Sequence, residues 1–169
     1  LGLFGSLGSG GEVRELGVTN VNVVGSGYCV GGLAGDNNGT VAECYSTGTV
    51  SGTDWAVGGL VGTNSGTVTG CYNTGAVSGR SSVGGIVGDN GSWDRGGGTV
   101  TQCYSTGAVS GTSGVGGLVG SNGSRSYSVV SHCYSTGTVN ASGPCVGGLM
   151  GFNDSGSVVT QCYSSGTVS

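Results

Sequence analysis

The chain has no lysine, one proline, one histidine and one methionine, and charged side chains make up only 7% of its 169 residues. The four arginines, Arg14, Arg80, Arg95 and Arg125, are dispersed and the net charge is -4, so no basic face exists for a nucleic acid. No apolar run approaches the roughly 20 residues that a membrane-spanning helix needs. Eight carboxylates are scattered along the chain with no lysine to work beside them, which argues against a catalytic cleft and leaves no cofactor or metal to expect. A starting methionine and a signal peptide are also missing, which suggests a processed product or an excised segment.

What the chain does have is glycine, at 42 residues, without the Gly-X-Y period of collagen. Between the glycines lie Val, Thr, Tyr, Ile and Cys, which are strand formers, so the composition reads as ordered β-structure. The order comes from repetition. A Cys-Tyr core recurs at Cys44, Cys71, Cys103, Cys133 and Cys162, at spacings of 27, 32, 30 and 29 residues. A Gly-Leu-x-Gly core recurs at Gly32, Gly59, Gly85 (with Ile86 for Leu), Gly117 and Gly148, and Gly2-Leu3-Phe4-Gly5 opens the chain with a sixth. Six repeats, approximately 1–29, 30–56, 57–82, 83–114, 115–145 and 146–169, fill a single domain.

Each repeat holds about three short strands, too short to bury a face alone but able to do so when stacked in parallel register. The expected architecture is an all-β parallel solenoid of six coils, about 29 Å tall at one strand spacing per coil. Its interior should be ladders of like residues. One runs through Leu3, Leu33, Leu60, Ile86, Leu118 and Leu149; a second through Val13, Val41, Val68, Val100, Val130 and Val159. A third is the cysteine row, headed by Leu16. Asn37 and Asn64, beside glycine, suit a turn at positive φ, and stacked Asn amides can hydrogen-bond from coil to coil. In the first repeat, Leu7 and Leu16 replace Asn and Cys, and Val18 to Val23 alternate with the period of a strand.

These linked positions resemble the GLUG-motif repeat family, named for its Gly-Leu-x-Gly core and found in large bacterial surface proteins of the adhesin and IgA-peptidase type. The resemblance covers nearly all of the chain, the first repeat departing from it with Leu16 in place of Cys. It implies a β-solenoid and a cell-surface role, and it supplies no catalytic residues to carry over.

Several residue sets are candidates for more than packing. Regularly stacked Cys44, Cys71, Cys103, Cys133 and Cys162 act as small buried hydrophobes or as structural disulfides, and cysteine usage of this kind points to an oxidising exterior. Cys29 and Cys145 stand apart, just before Val-Gly-Gly, where the other repeats carry Ala56, Ser82 and Gly114; four coils separate them, so the bond open to them is between chains. Tyr45, Tyr72, Tyr104, Tyr134 and Tyr163 should form an outward aromatic ladder. Repeats four and five lengthen at one corner, where Trp93, Arg95, Arg125 and Tyr127 offer anchors for a contact surface. His132 falls at an outward bend with Glu43, Gly70, Gln102 and Gln161, and reads as a solvated residue. Asp36, Asp89 and Asp154 lie by Asn-Gly turns but lack the nonapeptide run of calcium-binding rolls. Asn38, Asn90, Asn122, Asn140 and Asn153 head glycosylation sequons that are equally simple turns.

Together these features point to a non-enzymatic structural or adhesive module of a microbial surface protein or extracellular filament. Its partners would be further copies of itself, stacked head to tail through open solenoid ends, and glycans or host surfaces. The alternative is an ice-binding or glycan-binding solenoid, since Thr47, Thr49, Thr136, Thr138 and Thr167 could form a flat array that Ala76 and Ala108 interrupt.

Overall fold

Val, Thr and Tyr set between glycines favour extended backbone, and each stretch ends within a few residues at a tight corner. The computed structural model describes residues 1–169 except 93, 124–126 and 155. Among the described residues every named strand pairs in parallel with its counterpart one repeat away, and there is no helix. The chain is the β-solenoid that the repeats imply. The first sheet is built from Phe4–Leu7, Ala34–Asn37, Val61–Asn64, Val87–Asn90, Val119–Asn122 and Met150–Asn153. The second runs from Glu12–Arg14 to Val158–Thr160 and stacks the valine ladder Val13, Val41, Val68, Val100, Val130, Val159 in register. The third carries the Tyr positions and the Thr-Gly-x-Val segments, as in Tyr45–Gly52. A fourth, shorter sheet, Val30–Gly31 to Val146–Gly147, is formed by the Val-Gly step ahead of each Gly-Leu-x-Gly core.

Two corners of the coil turn through left-handed residues. One column is Glu15, Glu43, Gly70, Gln102, His132 and Gln161, with φ between 52° and 63°. The other is Cys29, Ala56, Ser82, Gly114 and Cys145, between 50° and 61°. Only one member of each column is glycine, so the remaining side chains accept about 1–2 kcal/mol of backbone strain apiece, which stacking on both sides must offset. Asn37 and Asn64 do not lie at positive φ as the Asn-Gly pairing suggested; each ends a strand with its side chain wholly buried.

The interior is two cores rather than one. The larger holds the Leu, Val and Cys ladders, with Leu7, Val13, Leu16, Val18, Leu149, Met150 and Cys162 packed at its ends. The smaller joins Val30, Val57, Val83 and Val115 of the fourth sheet to Val50, Val77, Val109 and Val139 of the third. Between them runs a polar waist of Ser46, Asn73, Ser105 and Ser135, all buried. The Ser46 hydroxyl donates to the Gly59 carbonyl at 2.7 Å and shares that proton with Asn73 Oδ1 at 3.0 Å. The Asn73 amide closes its own turn with bonds to the carbonyl and N–H of Gly75.

The first coil departs from the others. Its strand Gly17–Gly25 gains one residue between Val18 and Val21, at a bulge where Asn20 has φ 53°. The period-2 alternation is therefore broken: Val18 packs on the larger core, Val21 and Val23 on the smaller. Leu3 is one residue ahead of the Phe4–Ala34 pairing, so it keeps its register with Leu33, but it is 58% exposed because no coil covers it.

Candidate functional site

Two internal ladders explain why Asn and Cys recur. Each buried Asn donates from Nδ2 to Oδ1 of the next: Asn37 to Asn64 and Asn64 to Asn90 at 2.7 Å, Asn90 to Asn122 and Asn122 to Asn153 at 2.8 Å. The cysteine row is directional too. The backbone N–H groups of Cys44, Cys71 and Cys103 each donate to the sulfur one coil on, at 3.4 Å, and each sulfur donates to a carbonyl two residues earlier in its own coil, as Cys44 does to Ala42 at 3.1 Å. Valine in this row would pack as well but leave an N–H of the preceding coil without an acceptor. All seven cysteines are free thiols, so the row is a hydrogen-bonded ladder without bridges. Burial pushes the Cys103 thiol well above the ordinary range, and Cys44 and Cys162 more modestly. Cys145 is exposed, whereas Cys29 is half-buried with its sulfur 3.1 Å from the Thr63 hydroxyl.

On the outer face, Tyr45, Tyr72, Tyr104, Tyr134 and Tyr163 stack with centroids 4.9 to 5.1 Å apart and planes within 6°. The Tyr45 ring lies over Gly17, where an added Cβ would come within 2.2 Å of it. Partial burial, then the neighbouring phenols of Tyr134 and Tyr72, raise the Tyr104 pKa. Beside this row, Thr136, Thr138 and Thr167 are exposed, as are Ala76 and Ala108, while Thr47 accepts from the backbone N–H of Asn20. His132 is exposed at its left-handed corner.

Of the long-corner residues, Trp93 and Arg125 lie outside the described residues. Arg95 turns back across two coils to bond Asp36, with Asp94 at 3.7 Å on its other side. Tyr127 is 82% exposed and its ring reaches toward Gly156. The corner thus sends Arg95 toward coil two and Tyr127 toward coil six. Under Arg95 is a groove of about 410 Å³ lined by Tyr28, Trp55, Asp36, Thr63, Asp89, Ser92 and Asp94, with Cys29 and Ala56 at its base. Asp36 also accepts from Asn38 at 3.0 Å and Ser6 at 3.4 Å, and Ser92, donating to Asp94, holds that carboxyl below its usual range. The sequence reading passed over Tyr28 and Trp55. The signal was there: both stand two residues before the Val of Val-Gly, where repeats three and four have Ser81 and Ser113. Among the described residues no three His, Cys, Asp or Glu side chains are grouped to hold a metal ion, and no helix is long and apolar enough to cross a membrane.

A model of the GLUG motif matches residues 26–51, 53–78, 111–140 and 142–169, more than half of the chain. The chain belongs to the GLUG-motif family. No curated protein and no solved structure matches it. The GLUG signature itself has a packing explanation, best seen in the fourth repeat. A Cβ on Gly84 would stand 2.0 Å from the Val87 carbonyl, one on Gly85 2.1 Å from Ser105 Oγ, and one on Gly88 2.5 Å from the Val57 nitrogen. The three glycines let the first and fourth sheets meet backbone to backbone at the waist, and the residue between them, Ile86 here and Leu33, Leu60 and Leu118 in coils two, three and five, is wholly buried in the larger core.

Proposed function

We propose that this GLUG solenoid is a non-catalytic structural and adhesive unit of a microbial extracellular filament or cell-surface protein, extended by strand pairing at its two open coil edges. One observation carries the reading: the internal ladders run in register from the first coil to the sixth, so either edge fits a further coil of the same pattern. At one edge Leu1 and Leu3 are 55% and 58% exposed, and at the other Val159, Tyr163 and Val168 are 37%, 57% and 46% exposed. Unpaired edges that are flat and apolar template further pairing. Coil six of one copy then meets coil one of the next, a heterologous contact that propagates instead of closing. The exposed loop residues Arg95 and Tyr127 and the tyrosine row are the surfaces offered to glycans or neighbouring rods. Cys29, half-buried against Thr63, is a poor partner for an interchain bridge to Cys145. Ala76 and Ala108 interrupt the threonine array at neighbouring coils, which disfavours the ice-binding alternative.

Sizing, solution scattering and electron microscopy over a range of concentrations test the proposal. The expected result is rods that lengthen with concentration and shorten in Val159→Pro. Val158 N–H and the Thr160 carbonyl already serve coil five, so the alternation leaves Val159 N–H at the open edge, where proline removes it. A chain that stays monomeric at high concentration, or that assembles equally well with proline at 159, refutes edge-to-edge extension.

A further inference from the structure

We infer that the groove beneath Arg95 is a binding site for a neutral saccharide, one or two pyranose rings long. It gives the adhesive reading a ligand class and does not depend on edge-to-edge stacking.

The groove combines features that the regular coils lack. Trp55 is in register with Ser81 and Ser113, Tyr28 stands at the same place relative to Val30 on the bend one coil earlier, and both line the groove and stay 53% and 68% exposed. Two large, exposed rings lining one groove are a platform for the apolar face of a sugar. Facing them from the first sheet, in another single column, are Asp36, Thr63 and Asp89, in register with one another. Carboxylates and a hydroxyl repeating at the strand spacing match the alternation of hydroxyls along a pyranose edge. Arg95 closes the far side, its guanidinium fixed by Asp36 and Asp94, so its remaining N–H donors are held in place for a ligand oxygen. The volume, about 410 Å³, suits a small ligand more than a protein surface.

Charge selects among ligands. Three carboxylates against one guanidinium leave the groove net negative, which disfavours sulfated, phosphorylated and sialylated glycans. A cation would satisfy the charge, but Arg95 occupies the side from which an ammonium group would approach Asp36 and Asp94. A neutral polyol bonds acceptors and donors alike and needs no counter-charge.

Calorimetry on the whole chain with cellotriose, chitotriose and maltotriose tests this, with spermine and a heparin-derived oligosaccharide as charge controls. The expected result is saturable binding of at least one neutral trisaccharide, weakened at least about tenfold by Trp55→Ser and by Tyr28→Ser, the scale of losing an aromatic anchor. Serine is what the solenoid itself carries at this position, so both variants should keep the parent melting temperature. Asp36→Asn, which frees Arg95, should weaken binding as well. No binding of any neutral trisaccharide up to about 10 mM overturns the proposal, since that affinity lies below about 3 kcal/mol. Binding that ignores both aromatic substitutions, or a preference for spermine or the heparin fragment, also overturns it. Filament length measured on the same variants keeps the two readings apart: a lost sugar site with unchanged assembly leaves edge stacking standing, and the reverse leaves the groove standing.

Discussion

Replacing Asn90 by leucine should break the solenoid's most regular polar feature at its centre. Asn90 is wholly buried: it accepts from Asn64 at 2.7 Å, and its two amide N–H groups donate to Asn122 Oδ1 at 2.8 Å and the Gly98 carbonyl at 3.1 Å, with the Val129 carbonyl a shared acceptor at 3.4 Å. Leucine is close in size and apolar, so the change tests hydrogen bonding more than volume. Asn64 would keep its 3.3 Å contacts to the carbonyls of Gly66 and Thr99, which moderates the loss on that side. On the other side Asn122 Oδ1 loses its coil-four donor. Two or three stranded groups at about 1–3 kcal/mol each, less what a buried leucine returns, give a net loss of about 3 kcal/mol. For a chain of this size that lowers the melting temperature by about 6–12 °C. Thermal melts followed by circular dichroism give the magnitude, and hydrogen exchange gives its location, with protection expected to fall in coils three to five first. The sequence itself places a leucine in this column: Leu7 holds the position in coil one, in register with Asn37. A melting temperature within about 2 °C of the parent would mean that the amide ladder contributes shape and no stability, and the reasoning would fail.

Gly85→Ala places a methyl group 2.1 Å from Ser105 Oγ and 2.2 Å from the Gly117 carbonyl, and should cost on the order of 3 kcal/mol or prevent folding, while Gly5→Ala, with nothing within 4 Å, should be nearly silent in the same melt. Tyr104→Ser removes two stacked contacts, to Tyr72 and Tyr134, and should lower stability by about 1–3 kcal/mol; adhesion lost at unchanged stability would instead make the row a binding strip. Alkylation of the native protein should modify exposed Cys145 first and half-buried Cys29 next, and spare Cys44, Cys71, Cys103 and Cys133 until unfolding. Burial raises the Cys44, Cys103 and Cys162 thiols, whose contribution is complete below the ordinary thiol pKa and lost as pH rises through the folded values, while hydrogen bonds from Cys103 lower Cys71 and Cys133 and act in the opposite sense; with raised thiols in the majority, the urea midpoint should be flat near neutrality and fall above about pH 9.

The ladders were legible in the sequence because a solenoid turns a repeat position into a contact: once Cys44 and Cys71 share a register, each must lie over the other. The divided interior was not legible in the same way. A recurring Ser or Asn after Cys-Tyr reads as polar and outward, and only the bend at the left-handed corner turns Ser46 and Asn73 inward, against the glycines of the next sheet. The bulge at Asn20 was hidden for a related reason, since alternating Val and polar residues look the same with or without one extra residue. The groove was missed because it comes from departures within otherwise regular columns. Tyr28 and Trp55 matter for replacing serine, and Arg95 for reaching Asp36 across a sequence separation of 59 residues. Regular positions build the rod, so specific chemistry belongs where the columns break.

The direction of the ladders makes a further prediction about the joint between copies. Each coil donates forward: Asn Nδ2 to the next Oδ1, and Cys N–H to the next sulfur. At a head-to-tail joint, coil six would donate to coil one of the next copy, where Leu7 and Leu16 occupy those two positions and offer no acceptor. Asn153 keeps a bond to the Ser157 carbonyl at 3.3 Å, but the Cys162 N–H would face a leucine side chain. The tyrosine stack is also interrupted, because Gly17 stands where a ring would continue it. The joint is therefore weaker than the interfaces between coils two to six by about two hydrogen bonds, roughly 1 kcal/mol each, which favours reversible rods. Leu7→Asn combined with Leu16→Cys restores both acceptors. Analytical ultracentrifugation should then find association shifted to lower concentration by about tenfold or more, since 1.4 kcal/mol is a factor of ten. If the double variant associates no better than the parent, coil six does not meet coil one, and the open edge of coil six is completed by a coil that already carries asparagine and cysteine.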